Sequence, residues 1–182
     1  MTEPSGPAWC QRFPTSKNVL ALKEPFRGDV TRYLNMLDAA GAAVDIAATL
    51  RPKERAYLMH WAWVIAHGER APSGIPTMAG VDIDWNHGWD RLAAIAAATK
   101  MCAVYGLRYK PALTSRHCDG LAIDMSITWA DQTITVHTAA GSPVTIRTKP
   151  HDGTNPELAA IGATYGVHKL VTDVPHWSAD GR

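Results

Sequence analysis

Residues 121–127 alternate strictly. Leu121, Ile123, Met125 and Ile127 fall on one side, with Ala122, Asp124 and Ser126 on the other. Successive side chains of extended backbone point to opposite faces, so this period of two dictates a strand with one buried face. A strand needs partners, so the chain must build a sheet. One position does not suit a plain half-buried strand. Asp124 sets a carboxylate between Ile123 and Met125, and burying it is costly unless something pairs with it.

The rest of the chain alternates helix and strand signals. Residues 18–22 read as a short strand. Phe26, Val30, Tyr33, Leu34 and Leu37 have helical spacing, and Gly41 punctuates. Residues 43–49 read as a buried strand. Pro52 then opens a helix whose apolar face is Tyr57, Leu58, Trp61 and Ile65, and Gly68 ends it. Residues 69–88 form a long irregular stretch with two Pro and three Gly, a length usually kept for function. Helix returns near Trp89, Leu92, Ala96 and Ala103 and stops at Gly106, before a short strand at residues 107–110. Residues 133–137 and 144–148 alternate around a turn, which is a hairpin signal. Asn155-Pro156-Glu157 has the residue order of a helix start, and that helix carries Leu158, Ile161 and Tyr165 up to Gly166. A last strand is expected at residues 169–174. The fold class is therefore α+β, a mainly antiparallel sheet with helices packed on it. Residues 1–16 read as a flexible, Pro-rich N-terminal arm, and residues 17–182 as a single domain.

Composition removes several alternatives. A chain of 182 residues buries enough surface to need no covalent staples. Its net charge of +1 gives no broad basic footprint, so no nucleic-acid partner is expected. The three Cys are odd in number and form no CxxC, against a disulfide framework or a Cys-only zinc site. No apolar run suits a signal peptide or approaches the roughly 18 residues that span a bilayer, so synthesis in the cytoplasm, no membrane insertion and a monomer are expected.

The chemistry must then lie among the eight His. His60, His67, His137, His151 and His168 have no partner at a telling spacing. The run Asp82-Ile83-Asp84-Trp85-Asn86-His87 is either a metal site or a capped loop before a helix. His117 belongs to Ser115-x-His117-x-x-Gly120-x-Ala122-x-Asp124, which joins an imidazole to the costly mid-strand carboxylate. Both are ordinary zinc ligands, and Gly120 and Ala122 would keep the space before them small-sided. Near the C-terminus stands Asp173-Val174-Pro175-His176-Trp177. Pro175 breaks regular strand pairing, so Asp173 and His176 can converge on one cavity. His117, Asp124 and His176 then form a set of two His and one carboxylate. That set leaves a fourth tetrahedral position open, the pattern of a catalytic zinc site. Asp173 would be the nearby carboxylate that accepts a proton from water.

These two motifs, over residues 43–178, resemble the zinc peptidoglycan peptidases of the D-Ala-D-Ala carboxypeptidase and L-alanyl-D-glutamate endopeptidase family, in the lysostaphin, DD-carboxypeptidase and hedgehog superfamily. The resemblance implies a hedgehog/DD-peptidase-like fold with Zn2+ in its cleft, acting on the peptidoglycan stem peptide. It gives Arg51, after a strand and ahead of a helix, the role of facing the scissile carbonyl, although a surface Arg at a helix start is the plainer alternative. It gives Ser115 a hydrogen-bonding role. Trp85 and Trp89, in and beside the long loop, would wall the cleft and bind the stem peptide. Asp-Val-Pro-His departs from the Glu-x-Trp-His of many carboxypeptidases and is closer to phage endolysin endopeptidases. Cys118, beside a ligand, is either a bystander or a hindrance to metal loading. L-alanyl-D-glutamate cleavage at the cell wall is thus the expected activity. D-alanyl-D-alanine cleavage, and a non-catalytic zinc module of a phage or secretion apparatus, stand as alternatives.

Overall fold

In the computed structural model, which describes residues 2–182, the alternating segment is the strand Ala122–Thr128. The helices in chain order are α1 (Phe26–Ala39), α2 (Lys53–Ala66), α3 (Arg91–Tyr105), α4 (Arg116–Asp119) and α5 (Pro156–Thr164). The strands are β1 (Glu3–Pro4), β2 (Ala43–Ala48), β3 (Ile83–Asp84), β4 (Ala122–Thr128), β5 (Ile134–His137), β6 (Pro143–Ile146), β7 (His168–Lys169) and β8 (His176–Ser178). The class is α+β, and every strand pairing except that of β1 with β3 is antiparallel. The chain divides into two compact units, each assembled from two stretches of sequence. One holds the residues up to Thr15 with Arg51–Ser115, and the other holds Ser16–Leu50 with Arg116–Arg182.

The first unit is built on α2 and α3. Tyr57, Leu58, Trp61 and Ile65, the face read from spacing, are buried with Ala98, Met101 and Cys102 of α3. Asp90 caps α3 by accepting from the Ala93 N–H at 3.0 Å. Gly106 closes it in the left-handed conformation, and Leu107 N–H returns to the Cys102 carbonyl at 3.0 Å. That closure uses the residue at which a strand was expected, and residues 107–110 are irregular, with a bend at Arg108 and Tyr109. The stretch read as a flexible arm is anchored. Glu3 and Ser5 donate to the carbonyls of Asp82 and Asp84, both at 2.8 Å, and Trp9 and Cys10 are buried. A buried indole outweighs a Pro-rich composition. The long loop is irregular but packed, with Val81, Ile83 and Trp85 in this core.

The second unit carries a four-stranded sheet in the order β2-β4-β8-β7. Ile123, Met125 and Ile127 are buried with Phe26, Val30, Tyr33 and Leu37 of α1, and with Leu158 and Ile161 of α5. β5 and β6 form the expected hairpin, with Ile134 opposite Ile146 and Val136 opposite Val144. Asn155 caps α5 through the N–H groups of Glu157 and Leu158, at 2.9 and 3.2 Å. Two expectations fail here. Residues 18–22 contain a 3-10 turn, Val19–Ala21, because Asn18 accepts from the Leu20 N–H and curls the chain. Only Lys169 of residues 169–174 lies in a strand; a turn follows, and the chain re-enters the sheet at β8. In the register of that re-entry His176 faces Asp124 and Trp177 faces Ile123.

Candidate metal centre

Asp124 is fixed by the centre of the sheet. It lies opposite His176 on β8 and opposite Ala48 on β2, where β2 bulges. His117 arrives from α4, the short helix just ahead of β4. Gly120 makes the turn between them, with φ of +70°. A Cβ there would also come within 3.3 Å of the Lys23 backbone nitrogen. The motif glycine therefore serves the backbone rather than the open space before the ligands.

The two imidazoles are oriented from behind. His117 Nδ1 lies 2.8 Å from the Thr49 carbonyl oxygen. A carbonyl can only accept, so Nδ1 carries a proton and, in the neutral ring, Nε2 keeps a lone pair. Thr49 is itself fully buried and held by Ser16 and Asn18, its hydroxyl donating to their carbonyls at 3.1 and 3.0 Å. His176 Nε2 lies 3.2 Å from the Arg182 carbonyl oxygen, so by the same logic Nδ1 is the free ring nitrogen. These two nitrogens and Asp124 Oδ1 make a small triangle. Its edges are 2.9 Å (His117 to Asp124), 3.1 Å (His176 to Asp124) and 3.2 Å (His117 to His176). Both His are buried and Asp124 is partly buried.

Two lone pairs and a carboxylate facing one another at these distances repel unless a positive charge lies among them. A proton can bridge one edge only, whereas a cation satisfies all three. Zinc bonds to N and O of 2.0–2.2 Å with tetrahedral angles place neighbouring donors about 3.3–3.4 Å apart, close to the triangle seen. The donor set therefore fits, and His117, Asp124 and His176 can hold a metal ion. Among the described residues this is the one such cluster. Without a metal, a ring proton takes the place of the cation. Burial alone would raise the Asp124 pKa, but hydrogen bonds to the His117 and His176 rings outweigh burial and hold it well below the usual carboxylate range. Burial alone would lower the His176 pKa, but Asp124 and the Arg182 carbonyl accept from the ring and raise it.

The loop that delivers His176 is organised by a residue with no signature in the sequence. Lys169 Nζ donates to four backbone carbonyls, those of Leu170 (3.2 Å), Asp173 (2.9 Å), Val174 (2.6 Å) and His176 (3.3 Å). It also lies 5.3 Å from the Trp177 ring centre. Asp173 is exposed in this turn, and its charge adds to the raised proton affinity of His176; burial lowers the pKa of Lys169, against the opposing pull of Asp173 and Asp124. A second tie is the ion pair of Arg116, beside His117, with Asp180 beyond β8.

The remaining expected site residues belong to the other unit. Arg51 follows β2 and precedes α2, as read, and is half-buried; Ser115 is half-buried immediately ahead of α4. Trp85 corrects the expectation of an aromatic cleft wall. It is 4% exposed, and its indole N–H donates to the Tyr57 hydroxyl at 3.1 Å, which makes it a core residue. Trp89 is exposed. The alternative cluster at Asp82, Asp84 and His87 does not assemble. Asp84 accepts from the Asn86 N–H at 2.8 Å, and His87 Nε2 is bonded to the Ser5 hydroxyl at 2.8 Å, which is the capped-loop reading. Thr49, Lys169 and Arg182 act through or on backbone carbonyls, so residue type carried no trace of them. No family model matches the chain, and no curated protein or solved structure matches it.

Proposed function

We propose that this chain is a zinc-dependent peptidoglycan peptidase that hydrolyses the L-alanyl–D-glutamate bond of the stem peptide, in the manner of an endolysin. One observation carries the reading. Both imidazoles turn their N–H outward to backbone carbonyls and aim their lone pairs, with Asp124, at one point. Such outward bonds are the usual support of metal-ligating His, and two His with one carboxylate leave a coordination position open for chemistry.

Zinc held by His117, Asp124 and His176 would supply Lewis acidity toward the scissile carbonyl and make water acidic near neutral pH. Asp173, exposed beside His176, takes the proton from the attacking water and returns it to the leaving amine. The family resemblance gives Arg51 the role of offsetting charge on the carbonyl oxygen and Ser115 a hydrogen-bonding role. Trp85 has no part, being buried.

The test is digestion of purified cell-wall sacculi by zinc-loaded protein, read by mass spectrometry of the released muropeptides. Release that stops with a chelator and separates L-Ala from D-Glu is expected. Loss of a terminal D-Ala alone would reassign the enzyme as a carboxypeptidase. Stoichiometric zinc with every bond intact would leave a non-catalytic metal module.

A further inference from the structure

The β4 edge beside the candidate metal centre is taken up by the chain itself. Met125 N–H donates to the Pro175 carbonyl at 2.9 Å, and Gly153 N–H donates to the Ile127 carbonyl at 2.8 Å. A cavity of about 210 Å³ lies where these two segments meet β4. With the main-chain edge already bonded, what the cavity can take is a side chain. Its volume lies below the roughly 300–1,000 Å³ of pockets for drug-sized ligands, which suits a single long one.

The lining sets the chemistry of that side chain. Ser126 and Thr128 share the strand face of the metal-ligating Asp124, and both are exposed. Thr128 and Asp152 form an antiparallel bridge. Residues directly opposite in such a pair share a face, so the Asp152 carboxylate stands on that face as well. Asp152 is the one charged side chain in the lining. Thr154 donates to its Oδ1 twice, from the N–H at 2.8 Å and from the hydroxyl at 2.6 Å. These bonds fix the carboxylate and both end on one oxygen, so Oδ2 is left for a donor from outside the chain. Val174 and Pro175 add an apolar wall and lead directly into the ligand His176.

We infer that this cavity is a subsite for a substrate side chain with an ammonium group on an alkyl stem, and that Asp152 determines the specificity. The stem lies along Val174 and Pro175, since long cationic side chains cover apolar surface with their methylenes while the charged head reaches a polar partner. The head donates to Asp152 Oδ2, a charge-assisted bond of the stronger kind. An apolar head would leave that carboxylate facing hydrocarbon, and an acidic one would repel it. The spacing to the metal centre is that of a peptide. Residues two apart on a strand, as Asp124 and Ser126 are, lie about 7 Å apart, and a residue two positions beyond a scissile bond lies roughly that far from it. The assignment rests on the peptidase reading for its occupant. In the stem peptide the residue after D-glutamate is a diamino acid, and it brings an ammonium group to this distance.

The test titrates zinc-loaded, ¹⁵N-labelled protein with γ-D-glutamyl-L-lysine amide, the fragment beyond the scissile bond, which holds no further bond for the enzyme to cut. A second fragment carries norleucine in place of lysine, keeping the alkyl stem without the ammonium group. The lysine fragment is expected to shift the Thr154 amide resonance saturably and to bind at least about tenfold tighter than the norleucine fragment at low salt. Salt should narrow that margin. Asp152→Asn keeps an oxygen for the two bonds from Thr154 and removes the charge, and it should abolish the margin. Equal affinity of the two fragments, or none, overturns the subsite. So does a margin that survives Asp152→Asn, or binding that leaves the Thr154 amide unmoved. Lysine-selective binding with sacculi left intact would sink the peptidase reading alone, and sacculi cut without any preference for lysine would sink the subsite alone.

Discussion

At the residue scale, the two imidazoles are set by what lies behind them. The Thr49 and Arg182 carbonyls accept from the outward ring nitrogens, and with neutral rings the three inward donors could hold a metal ion. This gives opposite pH responses with and without metal. His176 has a raised pKa in the metal-free fold, so its protonated form stabilises the fold below the unfolded value near 6.5 and that stability is lost as pH rises through the higher folded value. Zinc needs the neutral ring, so its stabilisation grows with pH. The melting temperature of chelated protein should therefore fall between about pH 6 and pH 8, and that of zinc-loaded protein should rise. Parallel slopes would refute the ligand role of His176. Asp173 makes a separate claim. Asp173→Asn should keep its zinc and lose about 10²- to 10⁴-fold in peptide hydrolysis, the usual worth of a general base. A fully active variant would remove Asp173 from the mechanism.

At the element scale, β4 and the helix faces were legible because period two and period 3.6 leave long traces. Seven residues of β4 carry Asp124 on the expected side of an apolar strand. β8 left no such trace. It has three residues, His176–Ser178, and its neighbour β7 has two, too few for any period to show. The turn between them depends on one ammonium gathering four carbonyls, and carbonyls look alike at every residue. Asp173 and His176 were readable as a pair; their support by Lys169 was not. Lys169→Met keeps the length of the chain and removes the charge. It should weaken zinc binding by about 10- to 100-fold, as loss of supporting contacts does at other metal sites. Competition with a chromophoric chelator measures this, and unchanged affinity would show that the turn holds itself.

At the scale of the whole molecule, the sequence showed no linker, yet two compact units form from interleaved stretches. The candidate metal centre illustrates the point, since Thr49, the motif holding His117 and Asp124, and His176 come from three separate stretches of the chain and meet in one unit. Composition cannot reveal such an exchange, because both units draw on the same apolar and small residues. Trp85 shows the limit from the other side. A Trp in a Gly- and Pro-rich stretch reads as exposed, but a packed loop buries it as any core element would. The net charge of +1 also bears on function. Under the proposed function it would provide little long-range attraction to an anionic wall, so recognition would rest on short-range contacts.

The proposed chemistry requires His117, Asp124 and His176 to bind a metal together. Metal analysis of the purified chain after dialysis against zinc, beside His117→Ala and His176→Ala, tests this directly. About one zinc in the parent chain and less than about a tenth of one in either variant is the result expected of a three-ligand site. A parent chain that takes up none, or variants that retain as much as the parent, would contradict it.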